Sequence, residues 1–447
     1  MSELLHEQDL GDWRRTHYSK EILPTLDTMQ ITVMGWVSST RSHGNIQFVI
    51  IRDRLGEIQV TAKRGECSDE VLDQLSRVKE HTSLAIKGRV RAQNRSPNGI
   101  EVIPSEVRIF SLTKQAPPFT IQGNKPTVGV DTRLDLRAID LRRNYLRSTF
   151  GIRHTVLSSI REFLDAKGFI EVNTPKMIAT ATEGGAALFP IFYYNKEAYL
   201  AQSPQLYKEQ LTMAFENVYE IGPIFRAEPS RTKRHLSEAT SIDVEQAFAD
   251  YNDLMNLLET MIKHVVNSIN DRHRDDLQSM RCTLPNIKIP FPKYRYDEIV
   301  DKLQAHCERI RWGDDINPQI MKGLSDEVFN TGSFYYIVEW PTAIKPFYVK
   351  PTSKSDKVCE SFDLMFGPLE ISSGSTRINR KASLLGNMKK QGLNTELFDF
   401  HLRVFDYGVP PHAGFGVGLE RLMMVLLNIE NIRDATFYPR DIDRLTP

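Results

Sequence analysis

Residues 218–228, VYEIGPIFRAE, followed by the polar loop EPSRTKRHLSEAT (228–240) and by SIDVEQAF (241–248), decide the fold of this chain. The first run reads as a strand ending in the charged triplet Arg226-Ala227-Glu228, and the last reads as its return partner. On the N-terminal side, Arg147–Lys167 carries Ile152, Val156, Ile160 and Phe163 on one helical face, with Gly168 as its stop. Strand-like FIEVNTP (169–175), a loop ATATEGGAA (179–187) and a helix over Ser203–Glu216 fill the interval. On the C-terminal side come a helix over Asp253–Ile269, strand-like FYYIVEW, ESFDLMF and LEISS, and GVGLERLMMVLL entering a last apolar helix. Strands cluster with intervening helices and without a repeating βαβ rhythm, which predicts an α+β domain on an antiparallel sheet. No GxGxxG, no GxxxxGK[ST] and no internal repeat is present, so neither a dinucleotide fold nor a P-loop is signalled.

A second module precedes this one. From Met29 to Phe110, strand-like ITVMGWV, NIQFVII, EIQVTA, SLAIKGRV and GIEVIPSEVRIF enclose one helical stretch, DEVLDQLSRVKE, between the third and fourth strands. Five strands with a helix in that place predict an OB-fold β-barrel. Lys87, Arg89 and Arg91 alternate with Ile86, Gly88 and Val90, which puts three cations on one face. Such a face is either a solvated barrel wall or a grip on single-stranded nucleic acid. The Pro/Gly/Thr-rich QAPPFTIQGNKPTVG reads as a hinge. The expected domains are residues 1–111 (the barrel with a short extension), a hinge at 112–140, and a catalytic domain at 141–447.

Composition sets the outer limits. Lys+Arg and Asp+Glu are both 57 in 447 residues, so any polyanion site must be a local patch. No apolar run nears the ~20 residues of a membrane helix, and MSELLHEQDLGDWRR lacks a signal core. Cys67, Cys282, Cys307 and Cys359 have no CxxC spacing, which suits a reducing cytoplasm and not a disulfide scaffold.

Three segments carry chemistry. Arg226 at a strand end, facing a loop with Lys233, Arg234 and His235, offers a planar fork to a phosphate and can neutralise charge that builds in a transition state. In Gly416-Val417-Gly418-Leu419-Glu420-Arg421, glycines allow close approach to backbone and Arg421 follows in the helix. In EISSGSTR, Glu370 and Ser373 are spaced to share a hard cation such as Mg²⁺, with Arg377 four residues on. Taken singly, the first two are equally compatible with a surface ion pair and a snorkelling arginine.

In this order, the long helix and strand ending at Pro175, FRAE and GLER resemble the three motifs of class II aminoacyl-tRNA synthetases. With the OB barrel in front, the chain resembles the aspartate/asparagine/lysine subgroup. QSPQLYKEQL, VYEIGPIFRAE, RHLSEATSIDVE and PPHAGFGVGLER are most similar to archaeal and eukaryotic aspartate enzymes. Ala413, Val417 and the EWP at 339–341 depart mildly from the usual pattern, and none removes a charged ligand.

The resemblance implies an antiparallel sheet binding ATP, with Arg226 and Arg421 as catalytic residues. Arg226, Ala227 and Glu228, then Arg234, His235 and Leu236, and Glu370 with Gly418, Leu419, Glu420 and Arg421, would bind ATP. Glu370 and Ser373 would hold Mg²⁺. Glu183, Gln205, Leu206, Tyr207, Lys208, Arg226, Ser373 and Arg377 would bind aspartate, Glu183 taking its α-amino group. Arg41, Phe48, Gln59 and Glu101 would meet the anticodon.

Aspartate and asparagine are nearly isosteric, so charge must separate them. Lys208 stands where the asparagine enzymes look to carry an uncharged residue, and it would face the substrate's side chain together with Arg377. The expectation is an aspartate–tRNA ligase for tRNA(Asp), alternatively one that also charges tRNA(Asn), and less so an asparaginyl enzyme. An asparagine-synthetase-like amide ligase would not need the barrel. A non-enzymatic RNA-binding paralogue would be expected to lack Arg226, Arg421 or Glu370, and all three are present. The resemblance also implies a homodimer through the segment ending at Pro175.

Overall fold

The computed structural model of the protein describes residues 5–123, 126–179, 187–229, 232–306, 310–316, 321 and 332–447. Two compact units, Met1–Pro118 and Phe119–Pro447, divide the chain. In the first, β1 (Gln30–His43), β2 (Ile46–Arg52), β3 (Glu57–Lys63), β4 (Ser83–Ala92) and β5 (Ile100–Ser111) close a barrel in the order β1-β2-β3-β5-β4. Helix α1 (Asp69–Arg77) lies between β3 and β4, capped by Ser68, whose hydroxyl accepts from the Val71 N–H at 3.2 Å. Alternation fixes which face is core: Val49, Ile51, Ile58, Val60, Leu84, Ile86 and Val90 point inward and are buried. Lys87, Arg89 and Arg91 point outward as expected, two half-buried and Arg89 exposed.

The barrel closes where two glycines let strands touch. A Cβ at Gly35 would lie 2.3 Å from the Arg52 carbonyl oxygen, and one at Gly88 would lie 2.4 Å from that of Ile103. Gly88 also sits at the register shift between β4 and β5.

In the second unit, eight strands form one sheet: β6 (Ile170–Glu171), β10 (Asn217–Phe225), β11 (Glu238–Ala247), β12 (Lys293–Arg295), β13 (Phe334–Val338), β14 (Ser361–Phe366), β15 (Leu369–Thr376) and β16 (His412–Gly418). Their order is β12-β13-β14-β15-β16-β11-β10-β6. The inner six pair antiparallel, as the hairpin at 218–248 implied, while β12 and β6 pair parallel at the two ends, so the sheet is mixed. A separate three-stranded sheet joins β7 (Met177–Ile178), β9 (Lys196–Leu200) and β8 (Pro190–Tyr193).

Each face of the large sheet has its own cover. On one, α2 (Asn144–Ala166) and α4 (Tyr251–Arg272) pack Ile152, Val156, Ile160, Leu258, Met261 and Val265 against Val244, Phe415 and Val417. Gly168, at φ +78°, lets the chain turn after α2. Asp250 caps α4 and exchanges hydrogen bonds with Asp253. The last helix, α5 (Leu419–Leu427), adds Leu422, Met423 and Leu426 to the same core. The opposite face is partly covered by a second cluster that includes Leu206 from α3 (Gln205–Phe215), with Tyr335, Ile337, Phe347 and Met365. The rest of that face is polar and open.

Residues 119–140, read above as hinge, belong to the second unit. Asp140, fully buried, accepts from Arg133 at 3.0 Å, Arg137 at 2.9 Å and Arg143 at 2.7 Å. Arg133 also forks onto Asp434 at 2.8 and 3.0 Å, and Arg137 donates to the carbonyls of Thr436 and Phe437. Hydropathy alone assigns so charged a stretch to solvent; a shared carboxylate and helix-end carbonyls allow it inside. Among the described residues no helix is long and apolar enough to cross a membrane, and Cys67, Cys282 and Cys359 are free thiols.

Substituting Gly88→Ala should destabilise the barrel by about 1–3 kcal/mol, because a backbone oxygen cannot yield as a flexible side chain can. An unchanged urea midpoint for the full chain would contradict this account of closure.

Candidate active site

Strand β16, HAGFGVG, buries Phe415 and Val417 on the core side and turns Gly414, Gly416 and Gly418 to the polar face. A Cβ at Gly414 would lie 1.9 Å from Glu245 Oε2, and one at Gly416 would lie 3.2 Å from Asp243 Oδ1. The missing side chains therefore make room for the acids of the neighbouring strand β11. A cavity of about 350 Å³ opens on this face. Gln205, Lys208, Arg226, Glu228, Arg234, His235, Leu236, Glu370, Ser373, Arg377, Gly418, Glu420 and Arg421 all line it.

At one end two cations meet two acids. Lys208, 1% exposed on its side chain, reaches Asp243 at 3.0 Å and Glu245 at 3.3 Å. Arg377 donates from Nε to Glu245 Oε1 at 2.9 Å and from Nη2 to Oε2 at 3.2 Å, with Ser375 and Gln205 as further partners. Burial works against the Arg377 charge, and Glu245 more than offsets it, so its pKa is raised. This end holds +2 and −2, whereas the sequence reading counted only the cations. Asp243 and Glu245 were missed; their signal was the alternation of Ser241, Asp243 and Glu245 with Ile242 and Val244.

The other end is cationic at its rim. Arg226, on the strand end, stands 3.9 Å from Glu228, which stands 3.9 Å from His235. Arg421 donates to the Glu370 carbonyl oxygen at 3.1 Å, joining α5 to β15. Burial, then the charge of Arg421 and those of Arg226 and Arg234, hold the His235 imidazole below its ordinary range against the pull of Glu228. Glu420 is 2% exposed and accepts from Arg153 and the Thr240 N–H, both at 3.0 Å, so it serves as a strut between elements.

Glu370 and Ser373 lie on the same side of β15, both exposed to the cavity. Asp363, opposite Ser373 on β14, is ion-paired with Lys345 at 2.7 Å. Burial raises its carboxyl, Lys345 counters this, and the charge of Glu370 pushes it up further. Among the described residues no cluster of three or more His, Cys, Asp or Glu side chains could enclose a metal. A hard cation at Glu370 and Ser373 therefore fits only as one completed by ligand oxygens and water.

Four predicted residues stand otherwise. Leu206 and Leu419 are fully buried, each in one of the two cores of this unit. Tyr207 packs near Phe400, and Ala227 donates its N–H to the Ala187 carbonyl. None of the four lines the cavity, so any part they take is through backbone or packing. Glu183 lies outside the described residues. A brace that the sequence did not signal also appears. Arg433 donates to the Thr232 carbonyl at 3.1 Å and pairs with Asp441, while the Ile432 and Ser237 N–H groups bond the Lys233 and Arg440 carbonyls. The loop that carries Arg234 and His235 is thus held by the C-terminal segment.

On the barrel, Phe48 is half-buried on the outer face of β2, opposite Arg41 on one neighbour and Thr61 on the other. Gln59 donates to Thr61, Ser96 and Glu101 at 3.1–3.2 Å. Glu101 is only 3% exposed and also accepts from Arg91 Nε at 2.7 Å. Its carboxylate is committed to Gln59, Thr61 and Arg91 within the barrel.

The family profile described as tRNA synthetases class II (D, K and N) matches residues 129–442, and that of the OB-fold nucleic acid binding domain matches residues 31–110. The chain belongs to the class II aminoacyl-tRNA synthetases. Aspartate–tRNA(Asp/Asn) ligases of Methanococcus aeolicus and Methanocaldococcus jannaschii are 45% and 43% identical to it, covering 98% and 97% of this chain and 99% of each relative. Asparaginyl-tRNA synthetase of Pyrococcus horikoshii, complexed with asparaginyl-adenylate, superposes with a TM-score of 0.91 at 30% identity, over 97% of this chain and all of that one. A putative aspartyl-tRNA synthetase of Leishmania major Friedlin gives 0.89 at 26%, over 99% and 97%. His235 thus adds little to the positive charge of Arg226, Arg234 and Arg421 around it.

Ring-proton NMR should give His235 a titration midpoint below the ordinary ~6.5, hence a neutral ring at pH 7. Arg421→Met should move that midpoint upward. A midpoint at or above the ordinary value in the parent chain would contradict the burial and charge argument.

Proposed function

We propose that this synthetase activates L-aspartate with ATP and transfers it to the 3′ end of tRNA(Asp), and of tRNA(Asn) as the names of its relatives state for them. The observation that carries the choice of amino acid is Lys208 beside Arg377 at the cavity end where Asp243 and Glu245 meet them. The charge count supports aspartate. Lys208 and Arg377 are balanced at rest by Asp243 and Glu245. A bound amino acid adds an α-ammonium, which Asp243, and Glu183 as the resemblance implies, would take. With Asp243 drawn to the ammonium, a β-carboxylate can take its place against Lys208, whereas a β-amide brings no charge to that cation. One such pair at ~4 Å amounts to roughly 4 kcal/mol at an effective dielectric of 20, before desolvation. Shape supplies no such distinction, and the asparaginyl enzyme's high structural similarity reflects the shared fold.

The chemistry requires no protein nucleophile. The α-carboxylate attacks the α-phosphorus of ATP and pyrophosphate leaves. Arg226 would neutralise the charge growing on the α-phosphate, and Arg421 would hold the far phosphate or the base. Mg²⁺ at Glu370 and Ser373 would supply charge neutralisation to the phosphates. The terminal ribose hydroxyl of the tRNA then attacks the adenylate carbonyl, releasing AMP. Pairing through the segment ending at Pro175 is supported by β6 at the sheet's end and by exposed Ile170 and Met177 beside it.

Pyrophosphate exchange into ATP should proceed with aspartate and not with asparagine or lysine. Lys208→Leu should raise the KM for aspartate chiefly, while Arg226→Ala should lower kcat by ~100-fold or more, because its interaction strengthens in the transition state. Exchange with asparagine in the parent enzyme, or unchanged aspartate kinetics in Lys208→Leu, would refute the substrate reading.

On the barrel, stacking of a base on Phe48 is worth ~1–3 kcal/mol, so Phe48→Ala should weaken charging of a tRNA(Asp) transcript by about tenfold. Exchange without tRNA uses residues of the second unit alone and should be unaffected. A parallel assay with a tRNA(Asn) transcript measures whether both are charged; equal losses in exchange and charging would return Phe48 to a structural role.

A further inference from the structure

Behind the amino-acid end of the cavity, outside its lining, a carboxylate is buried against two imidazoles. Glu209, one turn along α3 from Gln205, is 2% exposed, and His401 and His412 are fully buried. Glu209 Oε1 accepts from Gln205 Nε2 at 2.6 Å. Its other oxygen faces His401 Nε2 at 3.4 Å and His412 Nε2 at 3.7 Å. All three of these facing atoms lack a hydrogen-bond partner.

The partners of each ring locate its protons. His412 Nδ1 lies 2.8 Å from the Pro410 carbonyl oxygen, which only accepts, so Nδ1 carries a proton. A bare Nε2 would then oppose a carboxylate lone pair, so this nitrogen is protonated as well and His412 is an imidazolium. Its pKa is indeed raised: burial opposes the charge, and Glu209, then Glu245 and the Pro410 carbonyl, outweigh it. On His401, the Gln210 side-chain amide nitrogen lies 3.3 Å from Nδ1, which leaves the ring proton on Nε2, toward Glu209. Both rings therefore direct N–H groups at one carboxylate oxygen.

The same reasoning fixes Gln205. An amide that meets a carboxylate on one side must present NH₂ there, so its oxygen faces the other way, toward Arg377 Nη2 at 3.3 Å. Flipped, Gln205 would set an NH₂ against a guanidinium. We propose that Glu209, clamped by His401 and His412, is a positioning residue that fixes the amide orientation of Gln205 and through it the guanidinium of Arg377 in the amino-acid site. The proposal rests on reading that end of the cavity as the aspartate site, and it gives a buried His–Glu–His group a part in amino-acid specificity.

The test is pyrophosphate exchange with the full-length enzyme, with KM for aspartate and for ATP measured separately. Loss of a hydrogen bond to a charged group predicts a rise of about tenfold or more in the aspartate KM of Glu209→Met, with the ATP KM unchanged. Glu209→Gln, which keeps an acceptor for Gln205, should recover most of the affinity. In a Gln205→Met background Glu209→Met should add almost nothing. Should Glu209→Met give no folded protein, Glu209→Ala, which makes no packing demand, takes its place. Parallel rises in both KM values, additive effects with Gln205→Met, or a Gln variant as impaired as Met would overturn the proposal. Failure of the parent enzyme to exchange with aspartate would refute the functional reading instead; normal parent exchange with an unaltered aspartate KM in Glu209→Met would refute only this inference.

Discussion

Four buried charges, Lys208 and Arg377 against Asp243 and Glu245, constrain the second unit more than any other group. Removing ions from water costs several kcal/mol each, and attraction repays that only with close geometry and satisfied hydrogen bonds. The structure meets both conditions. Glu245 is shared by the two cations, and Arg377 has further partners in Ser375 and Gln205. To hold such a group, β11 must turn Ser241, Asp243 and Glu245 to one face while Ile242 and Val244 enter the core. The adjacent strand must carry no side chain beside them, which is what the glycines of β16 provide.

Much of this was legible because periodicity and chemistry agreed. The five barrel strands, the helix between the third and fourth, the hairpin at 218–248 and the long helix before it all carried patterns that tertiary contacts reinforced. The cationic rim was legible because Arg226, Arg234 and Arg421 each adjoin a strand end, a loop or a glycine-led helix start. The acids that balance Lys208 and Arg377 were harder to see. On a strand whose other face is core, alternating Asp and Glu look like a solvated edge, and only the sheet order β15-β16-β11 brings them beneath the cations. Glu209 and its histidines were hidden for a related reason: residues 209, 401 and 412 are far apart in sequence, and no local pattern links them.

The segment from Arg133 to Arg143 shows the opposite failure of hydropathy. Up to residue 140 it fell within the expected hinge, yet Arg137, Asp140 and Arg143 are among the least exposed residues of the chain. Pairing is what permits it, and the partner is the C-terminal segment around Asp434 and Thr436. Because that segment also holds the loop of Arg234 and His235 through Arg433, the polar core is linked to the cationic rim of the cavity by a series of hydrogen bonds.

The glycine strand has a consequence for how such a pocket can be remodelled. A floor made of backbone offers no side chain to exchange; a Cβ at Gly414 collides with Glu245 and one at Gly416 crowds Asp243. If this pocket takes the amino acid as proposed, altered preference must enter through the walls, from α3 with Gln205 and Lys208 or from the end of β15 with Arg377. Each of these residues has its charge or its amide already engaged by a neighbour. A useful redesign would have to change partners in pairs, a cation together with its counter-ion, since a single exchange leaves a charge stranded beneath the cavity.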